Sequence, residues 1–360
     1  MAGALSNDTV DQDILLVGES WTQDNSRFFA PLMPRARTLD LGVGYSRDKT
    51  YRLGSLTNSL TAGGNLKDWG PGIDPPVHRN LSATTVSYSI NGKSTEGIVR
   101  AARRTEDQRF RDLRNNVVPI QLSECWQGMD FDIAAAMTNT ANFTRNNFSC
   151  STGKGLNSPE DWGLQSPDQD IDNLLDDLWA LQGFNGLSLE CTMSRKVLNV
   201  LKRHPAYSGG AALGGSGTAQ ALLADPFIEY FKALHGLDAV HVVRSVGNTA
   251  NRGQPAARAN IFQQSSTLAV LHFGLFDRRG EFDLTTQESD DSPDGCLVLA
   301  TGRDPMVANV IDERKEVEEF WGRTTYGIIV PRGTGASVGA DLGFFMRGLT
   351  ATTNGGIFVA

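Results

Sequence analysis

The sequence lacks the patterns that mark several common classes of protein. No apolar run approaches the ~18 residues that span a bilayer, so we expect no membrane partner. The four cysteines are scattered, with no pair at ligand spacing, which is typical of reduced cytosolic thiols rather than of a disulfide framework. The five histidines form no H-x-x-x-H or H-E-x-x-H pattern. The residues therefore indicate no metal site, no cofactor and no catalytic constellation.

An excess of positive charge is also missing. The chain has 33 Lys and Arg against 41 Asp and Glu, which gives a net charge of −8. A protein whose task is to grip phosphates usually has the opposite sign. The composition therefore argues against a protein that binds nucleic acid tightly, although it is compatible with one that lies near nucleic acid without reading it.

Glycine is abundant, with 38 residues, and much of it falls in runs that predict turns and long loops. The run from Gly333 to Gly339 follows the strand-like YGIIV, which is the right context for a phosphate-binding loop. However, Pro331 intervenes and the glycine spacing departs from the dinucleotide pattern. We keep a cytosolic α+β enzyme that uses Gly333–Gly339 as an alternative of another class.

Helical periodicity is clearest in the middle of the chain. We predict a long helix over 117–139, with Pro119 in its first turn. Its apolar stripe consists of Leu122, Cys125, Trp126, Met129, Ile133 and Met137. A second helix is predicted to begin after an N-cap at Ser166 and to stop at Gly183, and a further one covers 218–235 with Pro226 as a kink or a restart point.

The stretch LSLECTMSRKVLNVLKRHPAY, from Leu187 to Tyr207, predicts a strand, a cap at Ser194 and a basic helix. Val197, Leu198 and Leu201 face inward, and the helix ends at His204-Pro205 because proline cannot continue it. A catalytic or metal-binding histidine and a grip on nucleic acid are the functional alternatives. Positive groups in a last helical turn are favoured by the helix dipole, so the cluster is sufficiently explained by architecture.

The N-terminal part predicts extended structure. Residues 1–48 lack sustained periodicity, and two prolines break FFAPLMPRA, so we expect an arm that cannot bury itself. Residues 49–95 have strand-like ends around a polar Gly- and Pro-rich segment, and Asn91-Gly92 predicts a tight turn. Further strands are predicted at 237–246, 266–274 and 315–331, and after 342. Helices and strands are mixed without regular alternation, which indicates an α+β fold.

Three ordered segments resemble the major capsid proteins of tailed double-stranded DNA bacteriophages, whose shells have the Hong Kong 97-type fold. The first segment is a strand and short helix that close on a His-Pro pair, and the second is a Val-Gly turn with an Asn-Thr-Ala-type loop. The third is a short aromatic segment before an apolar strand. The matching residues are Leu201, His204, Pro205, Val246, Gly247, Asn248, Thr249, Ala250 and Phe262.

The resemblance implies an α+β phage capsid fold with an N-terminal arm, an E-loop hairpin, a peripheral domain with a long spine helix, and an axial domain. The arm would be 1–48 and the E-loop 49–95. The peripheral domain would be 96–180 with a return segment at about 316–345. The axial domain would be 181–315 with terminal strands at about 346–360. Trp69, Ile73 and Val77 of the E-loop would contact a neighbouring subunit.

The function implied by the resemblance is that of a structural protein without enzymatic activity. Copies would assemble as pentamers and hexamers into an icosahedral shell that encloses DNA without sequence-specific binding. We expect a separate scaffolding protein, a portal and a decoration protein as candidate partners. The location would be the virion, and the host cytoplasm during assembly. An encapsulin-like shell for protein cargo is the alternative within the same fold.

Overall fold

The structure, a computed structural model, describes a large part of the chain. The described residues are 28–42, 46–54, 83–95, 99–102, 107–139, 141–143, 147–149, 167–202, 207, 224–248, 258–262, 269–285, 293, 295–312, 317–331 and 342–349. No helix in these ranges is long and apolar enough to cross a membrane.

Strands and helices are mixed along the chain, as the α+β prediction requires. A 3-10 turn (Ala30–Leu32) precedes the first strand. The strands are β1 (Arg35–Arg37), β2 (Ser46–Gly54), β3 (Ala83–Ser94), β4 (Val99–Ala102), β5 (Asn147–Ser149), β6 (Ser188–Ser194), β7 (Ala239–Val243), β8 (Val246–Asn248), β9 (Arg258–Asn260), β10 (Ala269–Phe276), β11 (Phe282–Asp283), β12 (Val298–Asp312), β13 (Val317–Ile329) and β14 (Gly343–Leu349). The helices are α1 (Asp107–Met137), α2 (Pro167–Asn185), α3 (Arg195–Leu201) and α4 (Ala224–Leu234).

The larger sheet has the order β11-β1-β12-β13-β3-β2, and β4 also pairs with β13. β12 and β13 form its central antiparallel hairpin, from Val298 opposite Ile329 to Asp312 opposite Val317. The predicted boundary between axial and peripheral domains, at 315, falls in the connection of this hairpin and so separates two strands of one sheet. The division into domains stays a prediction.

The smaller sheet has the order β5-β14-β10-β6-β7. Its inner strand β6 is buried along most of its length, on both faces. Helices α1, α2, α3 and α4 share one hydrophobic core with this sheet. A second core, which includes Ala36, Ile90 and Val298, lies on the larger sheet.

The apolar stripe predicted for the long helix is confirmed, since all six of its residues are buried. The predicted start at 117, with Pro119 in the first turn, is wrong, because α1 begins at Asp107 and contains Pro119 in its interior. Val118, which is buried four residues before Leu122, continues the stripe upstream of the proline. Packing of this face therefore outweighs the backbone hydrogen bond that the proline cannot donate.

Helix α2 also extends beyond its predicted end. It continues through Gly183 to Asn185, and the next residue, Gly186, has a φ of 62°. A glycine in this left-handed conformation is a common helix terminator. The predicted cap of α3 is confirmed, because Ser194 Oγ accepts a hydrogen bond from the N–H of Val197 at 3.3 Å.

Two further predictions for the N-terminal part are wrong. Asn91 and Gly92 do not form a turn: they lie inside β3, opposite Tyr326 and Thr325 of β13. The arm does bury part of itself, because Phe28, Phe29 and Met33 are each at most 3% exposed. The prolines permit this burial, since Pro31 lies in the 3-10 turn and the carbonyl of Pro34 accepts a hydrogen bond from Leu299.

Candidate assembly site

The N-terminal strap, residues 28–42, is held on α1 by a buried acid. Oδ1 of Asp130 accepts hydrogen bonds from the backbone N–H groups of Phe29 at 3.0 Å and Ala30 at 2.7 Å. Oδ2 lies 3.1 Å from the same nitrogen of Phe29. These donors open the 3-10 turn, where N–H groups lack partners within the turn. One carboxylate therefore satisfies both of them and ties the strap to the long helix.

The burial of Asp130 changes its acidity. Loss of hydration raises its pKa, and the hydrogen bonds from Phe29 and Ala30 offset only part of this effect, so the pKa is about 6. The group therefore titrates close to neutral pH while the strap is docked.

A second contact holds the strap on the smaller sheet. The guanidinium of Arg278 binds both carboxylate oxygens of Glu190, each at 2.7 Å, and donates a third hydrogen bond to the carbonyl of Leu32 at 2.6 Å. His241 Nε2 lies 2.6 Å from Oε2 of Glu190. Burial alone would raise the pKa of Glu190, but the hydrogen bonds from Arg278 and His241 outweigh it and lower the pKa to about 2. The strap is thus joined to α1 and to the smaller sheet.

Aromatic rings complete the strap junction. Phe28 stacks on Trp126 of α1 with a centroid distance of 6.4 Å, and Phe29 meets the edge of Phe262 at 6.2 Å. Phe262, one of the residues of the resemblance, is 1% exposed. It belongs to the core that covers the strap.

The Val-Gly segment of the resemblance lies against α1. Gly247 has no space for a side chain, because a Cβ there would lie 1.8 Å from Cζ of Phe131. The amide of Gln127 donates a hydrogen bond to the carbonyl of Val246 at 2.5 Å. Asn248 pairs with Arg258 in the small β8–β9 ladder. A larger residue at 247 would therefore displace the Phe131 side chain, so glycine favours the close approach of this turn to the long helix.

The root of the β2–β3 hairpin is fastened to α1 and β13. The N–H of Gly322 donates hydrogen bonds to Oγ1 of Thr95 and to Oε1 of Gln121, each at 3.0 Å. Lys93, at the end of β3, forms an ion pair with Asp132 of α1. The ammonium of Lys93 also lies 4.8 Å from the ring centroid of Tyr326, which is a cation–π distance.

A cleft of about 350 Å³ opens at this root, with Lys93, Thr95, Glu124, Cys125 and Tyr326 in its wall. Burial raises the pKa of the Cys125 thiol to about 12, and the pKa of the Tyr326 phenol is raised as well, mainly by burial. Neither group is an activated nucleophile at neutral pH.

Leu201 ends α3 and is fully buried, as its place in the predicted helix requires. Beyond it, the hydroxyl oxygen of Tyr207 lies 3.0 Å from Nε2 of His235, at hydrogen-bond distance, and Nδ1 of His235 lies 2.6 Å from Oδ1 of Asp172. The order of acid, imidazole and hydroxyl is that of a nucleophilic triad. However, Tyr207 is 0% exposed, so a substrate cannot reach its hydroxyl. Burial also raises the pKa of its phenol, which disfavours the nucleophilic phenolate.

Several predicted residues lie outside the described part of the chain. These are His204, Pro205, Thr249, Ala250, Trp69, Ile73, Val77 and the loop Gly333–Gly339. Within the described ranges, no group of three or more His, Cys, Asp or Glu residues could hold a metal ion.

The sequence interpretation missed Asp130, Glu190 and Arg278. For Asp130 a signal exists, since its spacing of four from Trp126 and three from Ile133 places it in the apolar stripe. For Glu190 the alternation of β6 suggested a solvent-facing position, but that sheet is covered on both faces. Arg278 gives no local signal, because its partners lie far away in the sequence.

Comparison with solved structures identifies the fold. A phage-related protein from Bordetella bronchiseptica RB50 matches with a TM-score of 0.57 and 14% identity, covering 94% of this chain and 96% of that one. This chain has the fold of a phage-related protein. The α+β prediction is thereby confirmed at the level of the fold.

Two phage capsid structures are also similar, at lower TM-scores. The capsid of cyanophage P-SCSP1u has a TM-score of 0.44 and 10% identity, with 90% of this chain and 88% of that chain covered. The capsid of Ralstonia phage GP4 has a TM-score of 0.43 and 10% identity, with 91% of each chain covered. No protein-family model matches the sequence, and no curated protein does.

Proposed function

We propose that this chain is the major capsid protein of a tailed bacteriophage, which assembles as pentamers and hexamers into an icosahedral head around double-stranded DNA. The observation that carries the proposal is the ribbon of β2 and β3. The two strands pair from Ser46 opposite Asn91 to Gly54 opposite Ala83. Among the described strands, β3 pairs with β13 only from Asn91 to Ser94. The ribbon therefore leaves the sheet as two strands.

A two-stranded ribbon is at best marginally stable in water, and it needs a covering surface. The connection between β2 and β3 contains Trp69, Ile73 and Val77 among glycines and prolines. A neighbouring copy of the chain supplies the covering surface in a shell, and the same contact then repeats at every copy. The fold of a phage-related protein and the three sequence segments named above support the same function.

On this proposal the strap belongs to the N-terminal arm, the ribbon to the E-loop and α1 to the peripheral domain as its spine helix. The head encloses its DNA without binding it tightly, which agrees with the net charge of −8 on the chain. A separate scaffolding protein, a portal and a decoration protein are the partners of such a head. The protein resides in the virion, after assembly in the host cytoplasm.

The test is the size and content of the particles formed by the purified protein. Sedimentation velocity and negative-stain microscopy should show rings or closed shells of megadalton size rather than the 39.0 kDa monomer. If shells isolated from cells contain protein cargo and no DNA, this result would favour the encapsulin-like alternative. A stable monomer whose melting temperature rises with nucleotide would contradict the proposal and favour an enzyme.

A further inference from the structure

An exposed tryptophan lies at the junction of α2 and α4. Trp179 is 57% exposed, although one face of its indole packs on Gly236. A Cβ at Gly236 would lie 2.4 Å from the indole, and the φ of +60° at this residue also favours glycine. Leu234, two residues earlier, is 42% exposed. The indole is thus fixed on one side and open on the other, which is the state of an interface anchor before its partner arrives.

Acidic side chains surround this apolar centre. Helix α2 contains five aspartates and no lysine or arginine. Asp172 and Asp176 precede Trp179 by seven and three residues, so the three side chains line one face of the helix. Asp238 is exposed, and the side chain of Glu229 in α4 is 73% exposed and forms an ion pair with Lys232 of the same helix at 3.7 Å. We call the surface of Asp172, Asp176, Trp179 and Leu234 the acidic face.

A surface of opposite charge lies on α3. Arg195, Asn199 and Lys202 follow one another at spacings of four and three, which repeats the spacing on α2. Arg195 and Asn199 are exposed, and Lys202 extends the helix through a hydrogen bond to the carbonyl of Leu198. The sequence contains no acidic residue between Glu190 and Asp225. We call the surface of Arg195, Asn199 and Lys202 the basic face.

The two faces do not neutralise each other within the subunit. Among the ion pairs between described side chains, none joins α2 to α3. In a closed ring of identical subunits, each contact joins two different surfaces, one from each neighbour. A ring therefore needs two complementary faces on one chain, and the acidic and basic faces have opposite charge and matched residue spacing.

We propose that the acidic face of one copy docks on the basic face of the next copy in the ring. In this contact the guanidinium of Arg195 pairs with Asp176 and lies over the indole of Trp179, where a cation is attracted to the aromatic ring. The inference rests on the proposed function, since it assigns the surfaces that join subunits in pentamers and hexamers.

Charge reversal with rescue tests the contact. Asp176→Lys and Arg195→Glu should each lower the yield of rings and shells at least tenfold, because each places like charges opposite each other. The double variant restores the opposite signs and should recover the yield to within about threefold of the parent. Trp179→Ala should also lower the yield. Glu281→Lys, the same charge change at an exposed acid outside both faces, is the matched control and should assemble normally.

Circular dichroism and thermal melting of each variant establish that the subunit is folded. Normal assembly of Asp176→Lys or Arg195→Glu overturns the docking contact, and so does a double variant that stays defective while both single variants are folded. In either case the parent protein still forms shells, and the proposed function stands. A parent protein that forms no ring under any condition overturns both.

Discussion

Gly327 shows how one residue determines the separation of two strands. It lies in β13, and a Cβ at this position would be 2.1 Å from the carbonyl oxygen of Ser89 in β3. The obstacle is backbone, which cannot rotate away as the end of a side chain can. Glycine is thus required where the root of the hairpin crosses closest to the sheet.

Gly327→Ala should destabilise the subunit by about 1–3 kcal/mol, the usual cost of overpacking. The measurement is the free energy of unfolding from chemical denaturation. Gly128→Ala is the matched control, because a Cβ at Gly128 meets nothing within 4 Å and the residue lies inside α1. There alanine should stabilise the helix by about 0.5–1 kcal/mol. Equal effects of the two substitutions would contradict the steric explanation.

His272 is a buried base in an apolar environment. Neither ring nitrogen has a hydrogen-bond partner among the described residues, and the ring contacts Phe143 at a centroid distance of 5.2 Å. Burial lowers its pKa to about 3. The folded protein therefore keeps this histidine neutral at pH values where an unfolded chain protonates it, below about 6.5. The unfavourable contribution of His272 to the stability of the folded protein is absent above pH 6.5 and grows as the pH falls toward 3.

The expected consequence is that His272 lowers the stability of the folded protein in mild acid. Between pH 7 and pH 5, His272 should cost about 2 kcal/mol, since each unit of difference corresponds to about 1.4 kcal/mol. His272→Leu removes the titrating group and should lose less stability over this range than the parent protein. Chemical denaturation of both proteins at the two pH values measures the difference, and identical pH dependence would show that the histidine finds a partner.

At the scale of elements, the strap depends on one side chain of α1. The pKa of Asp130, about 6, lies above its ordinary value of about 3.9. The stability gained from this group is therefore fully present below about pH 4 and is lost as the pH rises through 6. This pH dependence is opposite in sign to that of His272.

Asp130→Ala should release the strap, because two buried N–H groups lose their acceptor at a cost of about 1–3 kcal/mol each. Limited proteolysis should then cut within 28–42 while α1 stays intact. Asp130→Asn keeps one oxygen acceptor, so the strap should stay protected. The same variant should lose more stability than the parent on acidification from pH 7 to pH 5. A strap that is equally protected in the Asp130→Ala variant would show that the aromatic contacts suffice.

Sequence periodicity predicted the elements whose cause is local. The stripe of α1, the cap at Ser194 and the inward face of α3 follow from spacing alone. β12 was not predicted because Gly302 and Pro305 interrupt its pattern, and its register with β13 shifts at these residues. It is a strand because β13 and β1 pair with it from both sides.

The candidate site was less predictable than the elements. Gly247 and Phe262 were found through their order along the chain, but their partners Phe131 and Phe29 come from distant segments. Asp130 meets Phe29, and Arg278 meets Leu32, only after folding, because the two residues of each pair are 101 and 246 positions apart in the sequence. Side chains of this kind are recognised from tertiary contacts rather than from local pattern.

At the scale of the whole molecule, we expect the connection of the β2–β3 ribbon to be needed for assembly of the shell and not for folding of the subunit. Its root is fixed within the subunit through Thr95, Gln121 and Lys93. Its connection carries apolar residues that contribute roughly 1.5–3 kcal/mol for each large side chain only when a surface covers them. Replacement of residues 65–77 by a short Gly-Ser linker should therefore abolish shells and leave the subunit folded.

Two measurements distinguish a defect in assembly from a defect in folding. Helical content by circular dichroism should match the parent, because α1 and the described residues of the two cores come from other segments of the chain. Particle formation by sedimentation should fall to background. The variant with Trp69, Ile73 and Val77 changed to alanine keeps the length of the segment, so it tests the apolar side chains alone and should show the same defect. Shells at normal yield in the linker variant would mean that the segment is a surface loop, and that subunits are joined through other faces.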